Sequence, residues 1–241
     1  MDLRKTLLFS RPIAHRGLHD DVTPENSMAS FEKAIEKGFP IEIDVRPIDD
    51  GTIVVFHDDK ITRMTNRDGY VCNLSKSDLN EITLNGSNEH IPLFKDVLDF
   101  VAGRVPLLIE IKNEAKVGAL EHDTLELLKD YKGEFAVQSF NPYSLEYFKK
   151  NAPQIVRGQL AGFFEGADLS KIKKFFLKRL RLNKVSSPNF ISYEGATLPN
   201  KYVTKANLPV LAWTARSNAD YEQFKPYCDN VIFENFIPQE D

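Results

Sequence analysis

The 241-residue chain has few cysteines and no long hydrophobic run. Cys72 and Cys228 lie far apart and neither belongs to a CxxC pair, so we expect reduced thiols rather than a disulfide framework or a zinc site. No segment approaches the roughly 18 consecutive apolar residues of a membrane span. The N-terminal apolar run, Leu7 to Phe9, is too short for the core of a signal peptide. These absences predict a soluble, cytoplasmic protein.

The chain also lacks an excess of positive charge. It has 31 lysines and arginines against 35 aspartates and glutamates, a net charge of −4. Proteins that bind nucleic acid by counterion release usually carry a basic domain, so we expect no nucleic-acid partner. A hydrophobic content of 42% can supply a substantial core, and no Pro/Gly/Ser-rich linker divides the sequence. We therefore interpret residues 1–241 as a single domain.

Short runs rich in β-branched residues alternate with amphipathic helical patterns, which is typical of βα units around a parallel sheet. Eight strand candidates, with helix patterns after most of them, predict an α/β fold, the (β/α)₈ TIM barrel, at its usual size of about 250 residues. The candidates are Pro12–His15, Pro40–Arg46, Val105–Lys112, Phe135–Phe140, Ile155–Leu160, Asn189–Tyr193, Pro209–Thr214 and Asn230–Glu234.

Two local features refine this prediction. Thr23, Pro24 and an acidic Glu25 are typical of a helix start, and Gly38 of the residue after a helix end. Residues 51–57 predict a strand that pairs with the second strand through a turn, and residues 58–90 follow without a clear crossover helix. We expect a small inserted subdomain at about 58–90, at the barrel end where βα loops build functional sites.

Three carboxylates occupy positions in apolar strands where inward-facing Val, Ile or Leu would be usual. Glu42 and Asp44 are two residues apart in the second strand and therefore face the same side, and Glu110 lies near the end of the third. Carboxylates held side by side repel each other unless a cation lies between them. Oxygen ligands without cysteine suit a hard cation, so the sequence predicts one divalent ion, Mg²⁺ or Ca²⁺.

Cationic and imidazole side chains accompany the carboxylates. Arg16 follows the first strand and Lys112 shares the face of Glu110, so both could hold the oxygens of a phosphodiester. His15 and His57 end their strands at the same predicted rim, where two imidazoles can exchange protons with a substrate. The combination predicts a metal-assisted phosphoester hydrolase. The remaining histidines are interpreted as surface or packing residues, namely His19, His90 and His122.

In order along residues 12 to 235, these motifs resemble the glycerophosphodiester phosphodiesterase family. The resemblance rests on His15-Arg16-Gly17, Pro24-Glu25-Asn26, Glu42-Ile43-Asp44-Val45, Asp50-Gly51, Val54-Val55-Phe56-His57-Asp58, Ile91-Pro92-Leu93, Glu110-Ile111-Lys112, Gln138-Ser139-Phe140 and Ala212-Trp213-Thr214.

That resemblance implies a TIM barrel with a small insertion after the second strand. It implies acid and base roles for His15 and His57, and phosphate contacts for Arg16 and Lys112. The same likeness makes Glu42, Asp44 and Glu110 the ligands of the divalent metal, and places Gln138, Phe140 and Trp213 at the substrate pocket. The chain departs from the family at the last strand, where Phe233-Glu234-Asn235-Phe236 replaces a Thr-Asp or Thr-Asn pair that is followed shortly by proline.

The leading hypothesis is hydrolysis of a glycerophosphodiester, such as glycerophosphocholine or glycerophosphoethanolamine, to sn-glycerol 3-phosphate and an alcohol. Direct attack by water and attack by a glycerol hydroxyl both stay open, as does the choice of acid and base between the histidines. One alternative is a lysophospholipase D with an acyl groove in the insertion. Another is a non-catalytic barrel that binds a phosphorylated ligand, although no catalytic or metal position is lost. The sequence does not predict the oligomeric state.

A basic run from Lys171 to Arg181 carries Ile172, Phe175, Phe176 and Leu180 on one helical face. Such a face could contact an anionic membrane. An outer helix of a barrel needs the same apolar stripe to cover the sheet, however, and we adopt that interpretation. Membrane contact is therefore not expected.

Overall fold

A computed structural model describes residues 2–113, 116–164 and 170–239. Within these residues nine strands form one sheet. They are β1 (Ile13–Ala14), β2 (Ile41–Pro47), β3 (Ile53–Val55), β4 (Leu107–Ile111), β5 (Phe135–Ser139), β6 (Arg157–Ala161), β7 (Phe190–Glu194), β8 (Val210–Ala215) and β9 (Asn230–Phe233). Every predicted barrel strand overlaps one of them.

The sheet closes on itself. All neighbouring pairs from β4 to β9 are parallel, β2 pairs with β4, and β1 pairs with both β9 and β2 in parallel. The strand β3 lies outside this ring and pairs antiparallel with β2, as the turn signature predicted. The eight-stranded parallel ring confirms the TIM barrel.

Helices follow most of the barrel strands. The described helices are α1 (Met28–Glu36), α2 (Lys76–Glu81), α3 (Phe94–Val101), α4 (Ala119–Leu128), α5 (Pro142–Asn151), α6 (Lys171–Lys178), α7 (Asn183–Ser186), α8 (Lys201–Ala206) and α9 (Asn218–Phe224). Across the described ranges, no helix combines the length and the apolar character needed to cross a bilayer.

The barrel interior has two layers because side chains alternate along each strand. Near the starts of the strands, inward residues form an apolar cluster, which the N-terminal Leu3, Leu8 and Phe9 help to fill. The strand members of this cluster are Ile13, Leu108, Ala136, Phe190, Leu211 and Ile232. Two positions further along, the same strands carry polar or aromatic residues: His15, Glu110, Gln138, Ser192, Trp213 and Glu234. The polar layer therefore lies nearer the carboxyl ends of the strands than the apolar cluster does.

The segment between β3 and α3 has its own apolar core. It contains 3₁₀ turns at Ile61–Arg63 and Val71–Asn73, followed by α2. The core of this segment buries Ile48, Val54, Phe56, Ile61, Val71, Leu74, Leu79, Ile82, Leu84 and Ile91. The apolar residues of the insertion thus pack on one another, and α3 supplies the crossover from β2 to β4.

The start of α1 differs from the prediction. The helix begins at Met28 with Ser27 as its N-cap, whose hydroxyl accepts a hydrogen bond from the Ser30 backbone N–H. The expected start at Thr23 is wrong because Asn26 adopts a left-handed conformation (φ 53°) that no helix can include. Residues before Ser27 instead turn toward the end of β2, where their side chains meet the barrel interior.

The interpretation of α6 as a covering helix is also wrong for most of its apolar stripe. Ile172, Phe175 and Phe176 are 72%, 44% and 39% exposed, whereas Leu180 is buried. The side of α6 that meets the barrel is thus not the side that carries these three residues. An exposed apolar face is the result.

Ile82 and Ile172 form a matched pair for testing this packing, since one is fully buried in the insertion core and the other is 72% exposed. We expect Ile82→Ala to lower the free energy of unfolding by about 2–5 kcal/mol, because it removes buried methyl groups and leaves a cavity. Ile172→Ala should change it by less than about 0.5 kcal/mol. Urea denaturation of both variants checks this, and equal losses would contradict the assigned burial.

Candidate active site

Three carboxylates converge in the upper layer of the barrel. Glu42 and Asp44 point inward from β2, and the parallel register places Asp44 beside Glu110 of β4. One oxygen of each carboxylate lies within 4.8 Å of an oxygen of the others. Glu42 and Asp44 are 1% exposed and Glu110 is 7% exposed. The three carboxylates therefore lie together, as the sequence predicted, and are almost inaccessible to solvent.

Burial and mutual repulsion set the charges of this cluster. Burial, together with Asp44 and Glu110, raises the pKa of Glu42 well above its usual value. Burial opposes ionisation of Asp44 as well, but nearby Lys112, His57 and Arg16 outweigh it and keep the pKa of Asp44 low. The Lys112 Nζ lies 3.0 Å from Glu110 Oε1 and 3.5 Å from Asp44 Oδ1. The site thus holds several charges of each sign.

The donor set fits a hard divalent cation. All three ligand groups are carboxylates, which Mg²⁺ and Ca²⁺ prefer. Among the described residues, none donates a hydrogen bond to the buried Asp44 Oδ1. This buried oxygen has Lys112 Nζ 3.5 Å away but accepts no hydrogen bond from the described residues, so beside two further carboxylates it keeps lone pairs that a cation can use. Glu42, Asp44 and Glu110 are accordingly the residues that could hold a metal.

Arg16 directs one backbone donor and one side-chain donor at this cluster. Arg16 has a left-handed conformation (φ 55°), its backbone N–H donates to Glu42 Oε2 at 3.2 Å, and its Nε lies 3.4 Å from Asp44 Oδ2. The next residue, Gly17, is also left-handed (φ 82°), and a Cβ there would lie 2.3 Å from Ser30 Oγ. Glycine is required here because any side chain would collide with α1.

His15 is held by a carboxylate from the last strand. Its Nδ1 contacts Glu234 Oε2, and its Nε2 lies 3.9 Å from Glu42 Oε2. Burial lowers the pKa of His15, and the hydrogen bond to Glu234 opposes that shift. Arg216 Nε donates to the second oxygen of Glu234 at 2.7 Å, and His19 Nε2 lies 3.9 Å from the first. Glu234 therefore fixes the ring of His15 with Nε2 turned to the site.

His57 has an equivalent partner in its own chain neighbour. Its Nδ1 lies 2.6 Å from Asp58 Oδ1, and Arg63 Nε donates to Asp58 Oδ2 at 2.5 Å. Arg63 also donates to Glu25, which in turn accepts a 2.7 Å hydrogen bond from Arg16 Nη1. One network thus links His57, the inserted segment and Arg16.

The other residues predicted for the substrate pocket lie around one cavity beside the carboxylates. Gln138 Nε2 lies 3.4 Å from Glu42 Oε1, and the rings of Phe140 and Trp213 meet edge to face with centroids 5.8 Å apart. A cavity of about 120 Å³ opens among these residues. Its lining comprises His15, Arg16, Glu42, His57, Glu110, Gln138, Phe140, Leu160, Trp213, Thr214, Arg216 and Ile232. Lys112, which is absent from this lining, contacts Asp44 and Glu110 of the carboxylate cluster.

Sequence reasoning missed the supporting side chains. Glu25 and Asp58 belong to motifs that carry the resemblance, and Glu234 lies in the last strand, where the chain departs from it. The motifs do not predict that these carboxylates contact Arg16, His57 and His15. Asn26 donates to Asp44 Oδ2 at 3.0 Å, which explains why the chain bends away from a helix at this point. His19, interpreted as a surface or packing residue, is mostly buried beside Glu234. The adjacency of Asp58 to His57 is a sequence signal for the role of Asp58, whereas Glu25 and Glu234 meet partners that are distant in sequence.

Comparison with known proteins agrees with this geometry. The model of the Glycerophosphoryl diester phosphodiesterase family matches residues 15–237. A glycerophosphodiester phosphodiesterase of Caldanaerobacter subterraneus is 34% identical over 159 residues, which cover 61% of this chain and 65% of that protein. One from Bacillus subtilis is 24% identical over 249 residues, which cover 93% of this chain and 83% of that protein.

A solved structure resembles the whole barrel. The Oleispira antarctica phosphodiesterase in complex with the product sn-glycerol-3-phosphate superposes with a TM-score of 0.78. It is 24% identical and the match covers 93% of this chain and 92% of that one, so this likeness supports the fold. The family match over residues 15–237 shows that the chain belongs to the Glycerophosphoryl diester phosphodiesterase family and is an enzyme of that family.

Proposed function

We propose that this enzyme hydrolyses small glycerophosphodiesters, such as glycerophosphocholine or glycerophosphoethanolamine, to sn-glycerol 3-phosphate and an alcohol, with one Mg²⁺ or Ca²⁺ ion. The observation that carries the proposal is the meeting of three carboxylates within 4.8 Å beside a cavity of about 120 Å³ that both histidines line. The product bound to the Oleispira antarctica phosphodiesterase, sn-glycerol-3-phosphate, also supports it.

The roles follow from the contacts. Glu42, Asp44 and Glu110 would hold the cation, which would supply positive charge close to a phosphate oxygen. Arg16 and Lys112, already at the cluster, balance the negative charge that grows on the phosphoryl oxygens.

Each histidine has Nδ1 engaged by a carboxylate, so Nε2 remains for proton transfer. One imidazole accepts the proton of the attacking hydroxyl, and the other donates a proton to the leaving alcohol oxygen as its bond to phosphorus breaks.

The structure favours a small diester over a lysophospholipid. An acyl groove would need exposed apolar side chains in the insertion, yet Ile61, Val71 and Ile82 are each about 1% exposed or less and pack on one another. Phe140 and Trp213 offer an apolar wall for the glycerol side. All catalytic and metal positions are occupied by the expected residue types, which disfavours a non-catalytic barrel.

Metal removal tests the proposal. Protein stripped with EDTA should not release sn-glycerol 3-phosphate from glycerophosphocholine, and Mg²⁺ or Ca²⁺ should restore release because the clustered carboxylates need a bound cation. Glu42→Gln should demand more metal for the same rate, whereas the exposed Glu36→Gln should match the parent. Lysophosphatidylcholine run in parallel should give little product. Full activity in EDTA, or turnover of the lysolipid alone, would overturn the proposal.

Replacement of either histidine should nearly abolish turnover. We expect His15→Ala and His57→Ala each to lower kcat by about 10²–10⁴-fold, because a positioned proton donor or acceptor contributes about that much. His122→Ala is the matched control, since His122 is exposed and its Nδ1 lies 3.4 Å from Tyr147 Oη. Steady-state kinetics with saturating metal measures this, and activity within about tenfold of the parent in both variants would refute the two-histidine mechanism.

The carboxylate behind His15 should matter for rate more than for substrate affinity. In Glu234→Gln the amide can donate to Nδ1, which favours the wrong tautomer and removes the charge that stabilises an imidazolium. We expect kcat to fall about 100-fold with KM changed by less than about threefold. Glu222→Gln, on the exposed side of α9, serves as control. A purely structural role would instead lower the melting temperature and leave kcat of the folded fraction unchanged.

A further inference from the structure

An apolar face of α6 is open to solvent. Ile172, Phe175 and Phe176 stand at i, i+3 and i+4, so they share one side of the helix, and all three are exposed. The rings of Phe175 and Phe176 meet edge to face at 5.5 Å. Single exposed apolar residues are common on protein surfaces, but an exposed cluster with two aromatic rings indicates a binding surface.

The surroundings of this face are strongly cationic. From Lys171 to Lys184 the sequence has seven lysines and arginines and no acidic residue, although the whole chain has a net charge of −4. Within the described part of the chain, no carboxylate pairs with Lys171, Lys174, Lys178, Arg179 or Arg181. Arg179 instead stacks on the Phe175 ring at 3.7 Å. Positive charge is therefore concentrated around the apolar face.

Aromatic contacts connect this helix to the active site. Lys178 Nζ lies 3.3 Å from the ring centroid of Phe163, just beyond the end of β6. The next residue, Phe164, meets Phe140 at 5.5 Å, and Phe140 lines the catalytic cavity. Because a helix that follows a barrel strand begins at the carboxyl end of the strands, the start of α6 lies on the active-site side of the barrel.

We propose that Ile172, Phe175 and Phe176, with the cations around them, bind the surface of an anionic phospholipid bilayer. Apolar side chains flanked by lysine and arginine are the pattern of helices that lie in a lipid interface, where the rings enter the headgroup region and the cations meet the lipid phosphates. A nucleic acid would use the cations but not the aliphatic and aromatic face, so the bilayer fits more of the observations. Docking would hold the catalytic cavity beside the lipids whose deacylation yields glycerophosphodiesters.

Vesicle flotation tests this without reference to catalysis. The full chain should float at low salt with vesicles that contain phosphatidylglycerol, should not float with phosphatidylcholine alone, and should dissociate as salt is raised. Lys171→Glu with Lys174→Glu should weaken the partition coefficient by about 25-fold or more, since each cation near a bilayer contributes about fivefold. Phe175→Ser with Phe176→Ser should weaken it by about tenfold or more, because apolar area no longer leaves water.

Two matched variants control for net charge and for apolar exposure. Lys37→Glu with Lys132→Glu changes the net charge equally, and Leu7→Ser removes a side chain that is 62% exposed away from α6. Both should float like the parent. Circular dichroism should show that all variants fold. The proposal is overturned if the parent fails to float with anionic vesicles, if the α6 variants float equally well, if the controls lose as much, or if α6 binds heparin but no vesicles.

Discussion

The structure depends on the placement of buried carboxylates inside the barrel. Glu42, Asp44 and Glu110 occupy inward positions that an ordinary barrel would fill with aliphatic side chains. Charges in such a dry place are costly unless cations and hydrogen-bond donors surround them. Arg16 forms an ion pair with Asp44, and Lys112 forms one with Glu110. The backbone of the first βα loop is shaped to deliver the Arg16 and Asn26 donors to the same cluster.

The supporting contacts reach outward from this centre. Glu25 joins Arg16 to Arg63, so the inserted segment helps to set the position of a side chain in the barrel. Asp58 and Glu234 each hold a histidine ring: Asp58 is the next residue after His57, whereas Glu234 lies 219 positions from His15. Parallel strands bring their carboxyl ends to one rim, which is why residues more than two hundred positions apart can share a proton-transfer site.

Local patterns predicted the barrel well because short apolar runs rich in β-branched residues alternate with amphipathic helical patterns along the chain. They failed where tertiary contacts override local preference. The Thr23-Pro24-Glu25 sequence has the features of a helix start, but the side chains of Glu25 and Asn26 gain more from the site, so the helix begins later. The apolar stripe of α6 is typical of a face that packs on a sheet, yet Ile172, Phe175 and Phe176 are exposed. Periodicity shows that a helix has an apolar face but does not show what that face contacts.

The sequence by itself determined the eightfold βα pattern, the hairpin after the second strand and the identities of the clustered histidines and carboxylates. These follow from short-range periodicity and from motif spacing. Only the tertiary structure decided that Glu234 holds His15, that Arg63 reaches Glu25, and that Ile172, Phe175 and Phe176 face water. The reason is physical: strand and helix periods fix the direction of a side chain relative to its own element, whereas its partner depends on how distant elements pack.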